Sequence, residues 1–108
     1  MQRNRKIRIV LADDHAIVRR GFQLILRSHD DLEVVGEAAT GLEAVALAEK
    51  LRPDIVVMDV SMPELNGIEA TRRIEQVAPS TRVVALSMHR DSVYVREMLR
   101  AGARAYLL

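Results

Sequence analysis

The chain has 108 residues, 49% of them hydrophobic, and a formal net charge of +1 from 16 basic and 15 acidic side chains. This length and composition predict one compact domain and exclude an intrinsically disordered chain. The balanced charge excludes the strong positive field that nucleic-acid binding requires. The absence of cysteine excludes disulfides and thiolate metal ligands. The N-terminal apolar run is too short for a signal peptide or a membrane segment. Together these features favour a cytoplasmic protein without membrane contact.

The first half of the chain alternates between strand and helix patterns. Val18, Phe22 and Ile25 follow helical spacing, and Thr40 with Glu43 forms a capping box at the start of a second helix. The predicted elements are a strand over Lys6–Ala12, a helix over Ala16–Arg27, a strand over Leu32–Ala38 and a helix from Thr40 to about Leu51.

The second half continues the alternation. The apolar run IVVM at 55–58 is typical of a central parallel strand covered on both faces, and Asn66 with Glu69 can cap the helix after it. The predicted elements are a strand over Ile55–Met58, a helix from Asn66 to about Val77, a strand over Arg82–Leu86, a helix from Asp91 or Ser92 to Gly102, and a strand over Ala103–Leu108.

Such strict alternation with short connections predicts an α/β fold, a parallel sheet between two helix layers in a three-layer sandwich. We take the strand order 2-1-3-4-5 from known flavodoxin-like sheets. This order places the first and third strands side by side.

Three carboxylates follow these two neighbouring strands. Asp13 and Asp14 come after the first strand and Asp59 after the third, at the sheet edge where open α/β folds bind ligands. Carboxylates that converge repel one another unless they are protonated or held by a cation, and an oxygen-only ligand set favours Mg²⁺. The alternative is that Asp13 or Asp14 caps the first helix and Asp59 caps a turn.

Ser87 ends the fourth strand and so brings a hydroxyl to the same edge, where it can donate to a phosphoryl oxygen. The alternative is a serine that serves only the strand-to-helix turn.

Together these motifs resemble the response-regulator receiver domain of two-component systems. The family carries an acidic pair after strand one, D-x-x-M-P-x-x-x-G after strand three and serine or threonine after strand four. The matching residues are Asp13-Asp14, DVSMPELNG at 59–67 and Ser87. The stretches ADDHAIVRRG, LSMHRD and AGARAYLL are most similar to the NarL/FixJ-type subfamily, whose members join this domain to a C-terminal LuxR-type helix-turn-helix.

The resemblance implies a signalling phosphoacceptor that catalyses its own phosphorylation and dephosphorylation. Asp59 would accept a phosphoryl group from a sensor histidine kinase. Asp13, Asp14, Asp59 and the backbone carbonyl of Ser61 would hold Mg²⁺, and Ser87 would hold a phosphoryl oxygen. Phosphorylation would switch homodimerisation and output, with DNA contacted only through the C-terminal domain.

Tyr106 matches the family's switch aromatic, whose ring would turn inward as Ser87 moves toward the phosphoryl group. The alternative is a half-buried tyrosine on an edge strand. His15 beside the acidic pair could tune metal binding, and His89 after Ser87 could tune dephosphorylation. The alternative, which we prefer, is that both are solvated loop histidines, and His29 is interpreted as structural.

One departure concerns the C-terminal end. The family carries a lysine just after the fifth strand and then a fifth helix, but residues 1–108 stop one position short of that lysine. We expect the natural protein to continue, because one sheet face is otherwise bare. We expect a chain that ends at Leu108 to be phosphorylated only weakly.

The sequence leaves three alternative functions. The first is a receiver-like interaction or dimerisation module that is never phosphorylated, against which the acidic residues argue. The second is a small hydrolase, but its D-x-D-x-T motif is absent. The third is a dinucleotide-binding domain, but no G-x-G-x-x-G follows the first strand.

Overall fold

A computed structural model describes residues 5–60, 62, 65–86 and 92–107, without the side chains of residues 92–94 and 106. Five strands alternate with four helices across these residues. The elements are β1 Ile7–Ala12, α1 Ala16–Arg27, β2 Leu32–Ala38, α2 Gly41–Leu51, β3 Ile55–Asp59, α3 Gly67–Val77, β4 Arg82–Leu86, α4 Ser92–Ala101 and β5 Ala105–Leu107.

The strands form one parallel sheet in the order β2-β1-β3-β4-β5, which confirms the predicted flavodoxin-like architecture. Its register aligns the carboxyl ends of the central strands. Ala12 pairs with Met58, and Asp59 pairs with Leu86. The residues that follow β1 therefore lie beside the end of β3.

The main core lies between the sheet and helices α2, α3 and α4. Alternate residues of the central strands face these helices because successive side chains of a strand point to opposite faces. Small residues on α2 and α3 let the helices approach closely. The buried cluster includes Val10, Ala12, Ala44, Ala48, Val56, Met58, Ala70, Ile74, Val83, Ala85 and Met98.

Helix α1 covers the opposite face less completely. Its Phe22 and Arg19 line a small cavity together with Leu11 and Val57 of the sheet, whereas no residue of α1 is fully buried. Ile17 is 88% exposed. The side of α1 turned to the sheet carries both apolar and polar side chains.

Both capping motifs expected from the sequence are formed. The Thr40 side chain accepts a hydrogen bond from the Glu43 backbone nitrogen at 3.1 Å, and the Asn66 side chain accepts one from the Glu69 nitrogen at 3.0 Å. These bonds satisfy backbone donors that a helix start leaves free. Helices α2 and α3 therefore begin directly after the predicted caps.

The last strand is shorter than predicted. The Ala103 nitrogen donates to Met98 and the Gly102 nitrogen to Leu99, at 2.9 and 3.1 Å, and Gly102 has a φ of 123°. These two bonds form the Schellman motif that closes a helix. Ala103 thus belongs to the end of α4, and β5 begins at Ala105. Leu108 lies outside the described residues.

Across the described ranges, we find no helix with the length and apolar character needed to span a membrane.

Candidate functional site

The acidic pair lies in the short loop between β1 and α1. The Asp13 backbone nitrogen donates to the Ala38 carbonyl at 3.0 Å, which extends the β1–β2 pairing by one residue. The side chain of Asp13 is 18% exposed and that of Asp14 is 33% exposed. Both carboxylates therefore lie in a shallow, partly sheltered position at the edge of the sheet.

Asp59 is the last residue of β3, and the chain turns sharply after it. The Gly67 nitrogen donates to the Val60 carbonyl at 2.8 Å, and a Cβ at position 67 would lie 2.2 Å from the Asp59 carbonyl oxygen. Only glycine allows this close approach of two backbones. The start of α3 is thereby folded back against the end of the strand that carries Asp59.

The predicted carboxylates come together in space. One ligand atom from each of Asp13, Asp14, His15 and Asp59 lies within 4.8 Å of the others. The cluster confirms the expected convergence at adjacent strand ends. Its three carboxylates offer oxygen ligands, which suit a small divalent cation such as Mg²⁺.

His15 joins the cluster more closely than a solvated loop histidine would. Its ring is 66% exposed, yet Nδ1 lies 2.9 Å from a carboxylate oxygen of Asp13 and 2.9 Å from one of Asp14. The hydrogen bond to Asp13 and then the negative charge of Asp14 raise the pKa of His15 above its ordinary value of 6.5. The adjacency of histidine to the acidic pair was the signal for this contact.

The helix-cap alternative for Asp13 and Asp14 is wrong. The N-cap of α1 is His15, and no side chain makes the capping bond. The Asp13 carboxylate accepts a hydrogen bond from the His15 backbone nitrogen at 2.8 Å. This hydrogen bond lies within the loop that precedes the helix. The carboxylates of the acidic pair therefore lie in the cluster with Asp59 and do not cap the helix.

Arg19 is a site residue that the sequence analysis missed. Its Nη1 donates to the Asp13 carbonyl, and its Nε donates to Glu37 of β2 at 3.0 Å. The available signal was its position on the helix, three and four residues before Phe22 and Gln23, which are both partly buried. An arginine on the sheet-facing side of a helix calls for a polar partner.

Ser61, Ser87 and His89 lie outside the described residues. Tyr106 pairs with Ala85 in the sheet, but its side chain is outside the description. His29 is exposed just beyond α1 and takes no part in the cluster.

A model of the family described as the response regulator receiver domain matches residues 9–108. The chain belongs to this family. An uncharacterized transcriptional regulatory protein of Bacillus subtilis, YhcZ, is 48% identical to this receiver domain over 102 residues. That alignment covers 94% of the chain and 48% of the relative. The receiver domain thus spans about half the length of such relatives.

Solved structures agree with this assignment. The signal receiver domain of the NarL response regulator from Mycobacterium tuberculosis superposes with a TM-score of 0.92 at 33% identity, covering 96% of this chain and 84% of that one. The response regulator domain of Thermotoga maritima CheB superposes with a TM-score of 0.88 at 42% identity, covering 94% and 77%. The chain is therefore a receiver domain of the NarL type, a signalling module of two-component regulators.

Proposed function

We propose that this receiver domain accepts a phosphoryl group on Asp59 from a sensor histidine kinase. The observation that carries the proposal is the convergence of Asp13, Asp14 and Asp59 within 4.8 Å, at the carboxyl ends of two adjacent strands in a member of this family. A carboxylate in such a place can act as a nucleophile when nearby positive charge lowers the repulsion from an incoming phosphate.

In the transfer step, an Asp59 carboxylate oxygen attacks the phosphorus of a kinase phosphohistidine. The phosphorus–nitrogen bond breaks, its electron pair stays on the imidazole, and that nitrogen takes a proton from water. The product is an acyl phosphate on Asp59. Water later attacks the phosphorus and returns the free carboxylate and inorganic phosphate, which makes the domain a reversible switch.

Asp13, Asp14, Asp59 and the Ser61 carbonyl are the ligands we propose for Mg²⁺. Mg²⁺ held by these residues would offset the negative charge that develops on the phosphoryl oxygens during transfer. The three clustered carboxylates support this assignment, since they provide oxygen donors and a strong negative potential in one place. In this assignment Asp13 would act mainly through a coordinated water.

The output of the switch depends on residues beyond the cluster. Ser87 donates a hydrogen bond to a phosphoryl oxygen, and the Tyr106 ring moves inward in response. This change favours a homodimer. In the intact regulator the dimer then acts on DNA through a C-terminal domain. The transcriptional role of relatives about twice as long supports this last step.

A phosphorylation-independent interaction module is the second candidate. The observation in its favour is the apolar outer surface of α1, where Ile17 is 88% and Leu24 is 61% exposed. Such side chains can serve a protein contact without any chemistry at Asp59.

Intact-mass measurement after incubation with acetyl phosphate and Mg²⁺ tests the proposal. We expect the mass of one phosphoryl group on the regulator that contains this domain, and none on the Asp59→Asn variant. Asp30→Asn, an exposed substitution outside the cluster, is the matched control and should react like the parent protein. Equal adducts on Asp59→Asn would refute the role of Asp59, and no adduct on the parent protein would favour the interaction module.

A further inference from the structure

Arg19 binds the backbone that carries the acidic pair. Its side chain is only 18% exposed. Nη1 donates to the carbonyl of Asp13, the peptide group that links Asp13 to Asp14. Because the Asp13 nitrogen donates to Ala38 at 3.0 Å, this residue is held on both sides, by β2 through its nitrogen and by Arg19 through its carbonyl.

The Arg19 guanidinium is itself held in place by Glu37 of β2. Its Nε lies 3.0 Å from one carboxylate oxygen of Glu37, and Gln23 donates to the other oxygen of the same carboxylate. Both carboxylate oxygens of Glu37 are thus used, and two residues one turn apart on α1 share this acceptor. A planar guanidinium with two fixed acceptors has little freedom to rotate.

Arg19 also contributes charge near the cluster. It lines the same small cavity as Asp13 and Asp59. Three carboxylates within 4.8 Å repel one another, and a nearby fixed cation reduces that repulsion before any metal binds. The neighbouring Arg20 offers a contrast, because it is exposed and has no ion-pair partner within the described part of the chain.

We propose that Arg19, anchored by Glu37, is a positioning residue that orients the Asp13–Asp14 peptide so that both carboxylates converge with Asp59 on a cation. This inference rests on the proposed function, because it assigns Arg19 a purpose in that same Mg²⁺ site. It differs from a purely structural role, in which the Arg19–Glu37 pair would only join α1 to β2.

The experiment compares Arg19→Gln with Arg20→Gln, which removes the same charge from the next residue of the helix. Mg²⁺ affinity is measured by calorimetry, and backbone amide shifts of the metal-free protein are recorded by NMR. For Arg19→Gln we expect Mg²⁺ binding to weaken by about 10-fold or more, with shifted amides at Asp14 and Asp59. Arg20→Gln should bind Mg²⁺ as well as wild type or slightly better, since it removes a positive charge.

Two further variants guard against loss of folding. Arg19→Lys keeps the charge but cannot reach both acceptors, so we expect an affinity between those of wild type and Arg19→Gln. Glu37→Gln removes the anchor, so it should weaken Mg²⁺ binding by more than Glu33→Gln, which removes the same negative charge from an exposed residue of β2. If only the free energy of unfolding falls, while affinity and the Asp59 amide shift match those of Arg20→Gln, the positioning role is overturned. Wild-type protein that binds no Mg²⁺ would instead refute the proposed metal site, and this inference with it.

Discussion

Gly41, the first residue of α2, lies directly against the carbonyl of Leu65, in the loop between β3 and α3. A Cβ at position 41 would lie 1.8 Å from that oxygen and 2.6 Å from the carbonyl carbon. The atoms it would meet are backbone, so they cannot rotate away as a flexible side chain can. The start of α2 and the backbone of Leu65 are therefore packed at a distance that only glycine permits.

Gly41→Ala should destabilise the domain. The added methyl must push the loop outward, and overpacking of this kind lowers the free energy of unfolding by about 1–3 kcal/mol. Urea unfolding measures the change. Gly21→Ala is the control, since a Cβ there meets nothing within 4 Å and an alanine in a helix is favoured over glycine. A Gly41→Ala protein as stable as the parent would contradict the close packing.

The pKa of His15 should make stability depend on pH. The hydrogen bond to Asp13, followed by the charge of Asp14, raises this pKa above 6.5 in the folded chain. The protonated ring is then favoured by folding, so its contribution is fully present below pH 6.5 and is lost as the pH rises through the folded-state pKa. Urea unfolding across this window should show stability falling, and His15→Gln should remove that slope.

The same pKa can be followed directly by proton NMR of the His15 ring. Asp14→Asn removes one of the two nearby carboxylates, so it should bring the pKa of His15 closer to its ordinary value. Saturating Mg²⁺ should act in the same direction, because a cation among the carboxylates repels the protonated ring. A pKa that is unchanged by both would show that the contacts with Asp13 and Asp14 do not persist in solution.

Asp14→Asn should affect the metal-free and metal-bound protein in opposite ways. Removal of one carboxylate from a cluster of like charges should stabilise the metal-free domain, by no more than about 1 kcal/mol, at a pH where His15 is neutral. The same change removes a proposed ligand and should weaken Mg²⁺ binding. Unfolding with and without Mg²⁺ reports both effects, with Asp30→Asn as the control. A variant that is less stable without metal would argue against repulsion within the cluster.

Replacing a large aliphatic side chain by alanine should cost different amounts of stability on the two faces of the sheet. Ile74 of α3 is completely buried in the main core, whereas Leu24 of α1 is 61% exposed. We expect Ile74→Ala to lower the free energy of unfolding by about 2–5 kcal/mol and Leu24→Ala by less than about 0.5 kcal/mol. Chemical denaturation of both variants measures the difference. A large loss for Leu24→Ala would mean that α1 is covered by another surface in solution.

The order and type of the elements could be predicted from local patterns. The IVVM run at 55–58 and the caps at Thr40 and Asn66 depend on residues within one turn or one strand, and the structure confirms them. The start of β5 could not be predicted from the sequence. Ala103 continues the apolar pattern of the strand, but its backbone nitrogen donates a hydrogen bond to the Met98 carbonyl. That bond depends on how the end of α4 packs, which the neighbouring sequence does not specify.

The candidate site divides in the same way. Asp13, Asp14 and Asp59 were predicted to meet because parallel strands end at a common edge, and this follows from strand order alone. The spacing of Val18 and Ile25 correctly predicted a helix. It did not identify the side of the helix that faces the sheet, because these two residues are 40% and 61% exposed. The side turned to the sheet carries Arg19 and Phe22 instead.

By itself, the sequence determined the alternation of strands and helices, the family and the place where three carboxylates gather. The alternation arises from short-range hydrogen bonding and hydrophobic periodicity. The family follows from the motifs, and the meeting of the carboxylates follows from the strand order taken from known flavodoxin-like sheets. Only the tertiary structure decided that His15 contacts both carboxylates of the acidic pair, that Arg19 binds the Asp13 carbonyl and that Gly41 lies against Leu65. Those contacts depend on the rotation of α1 and α2 over the sheet, which is set by the packing of the whole domain.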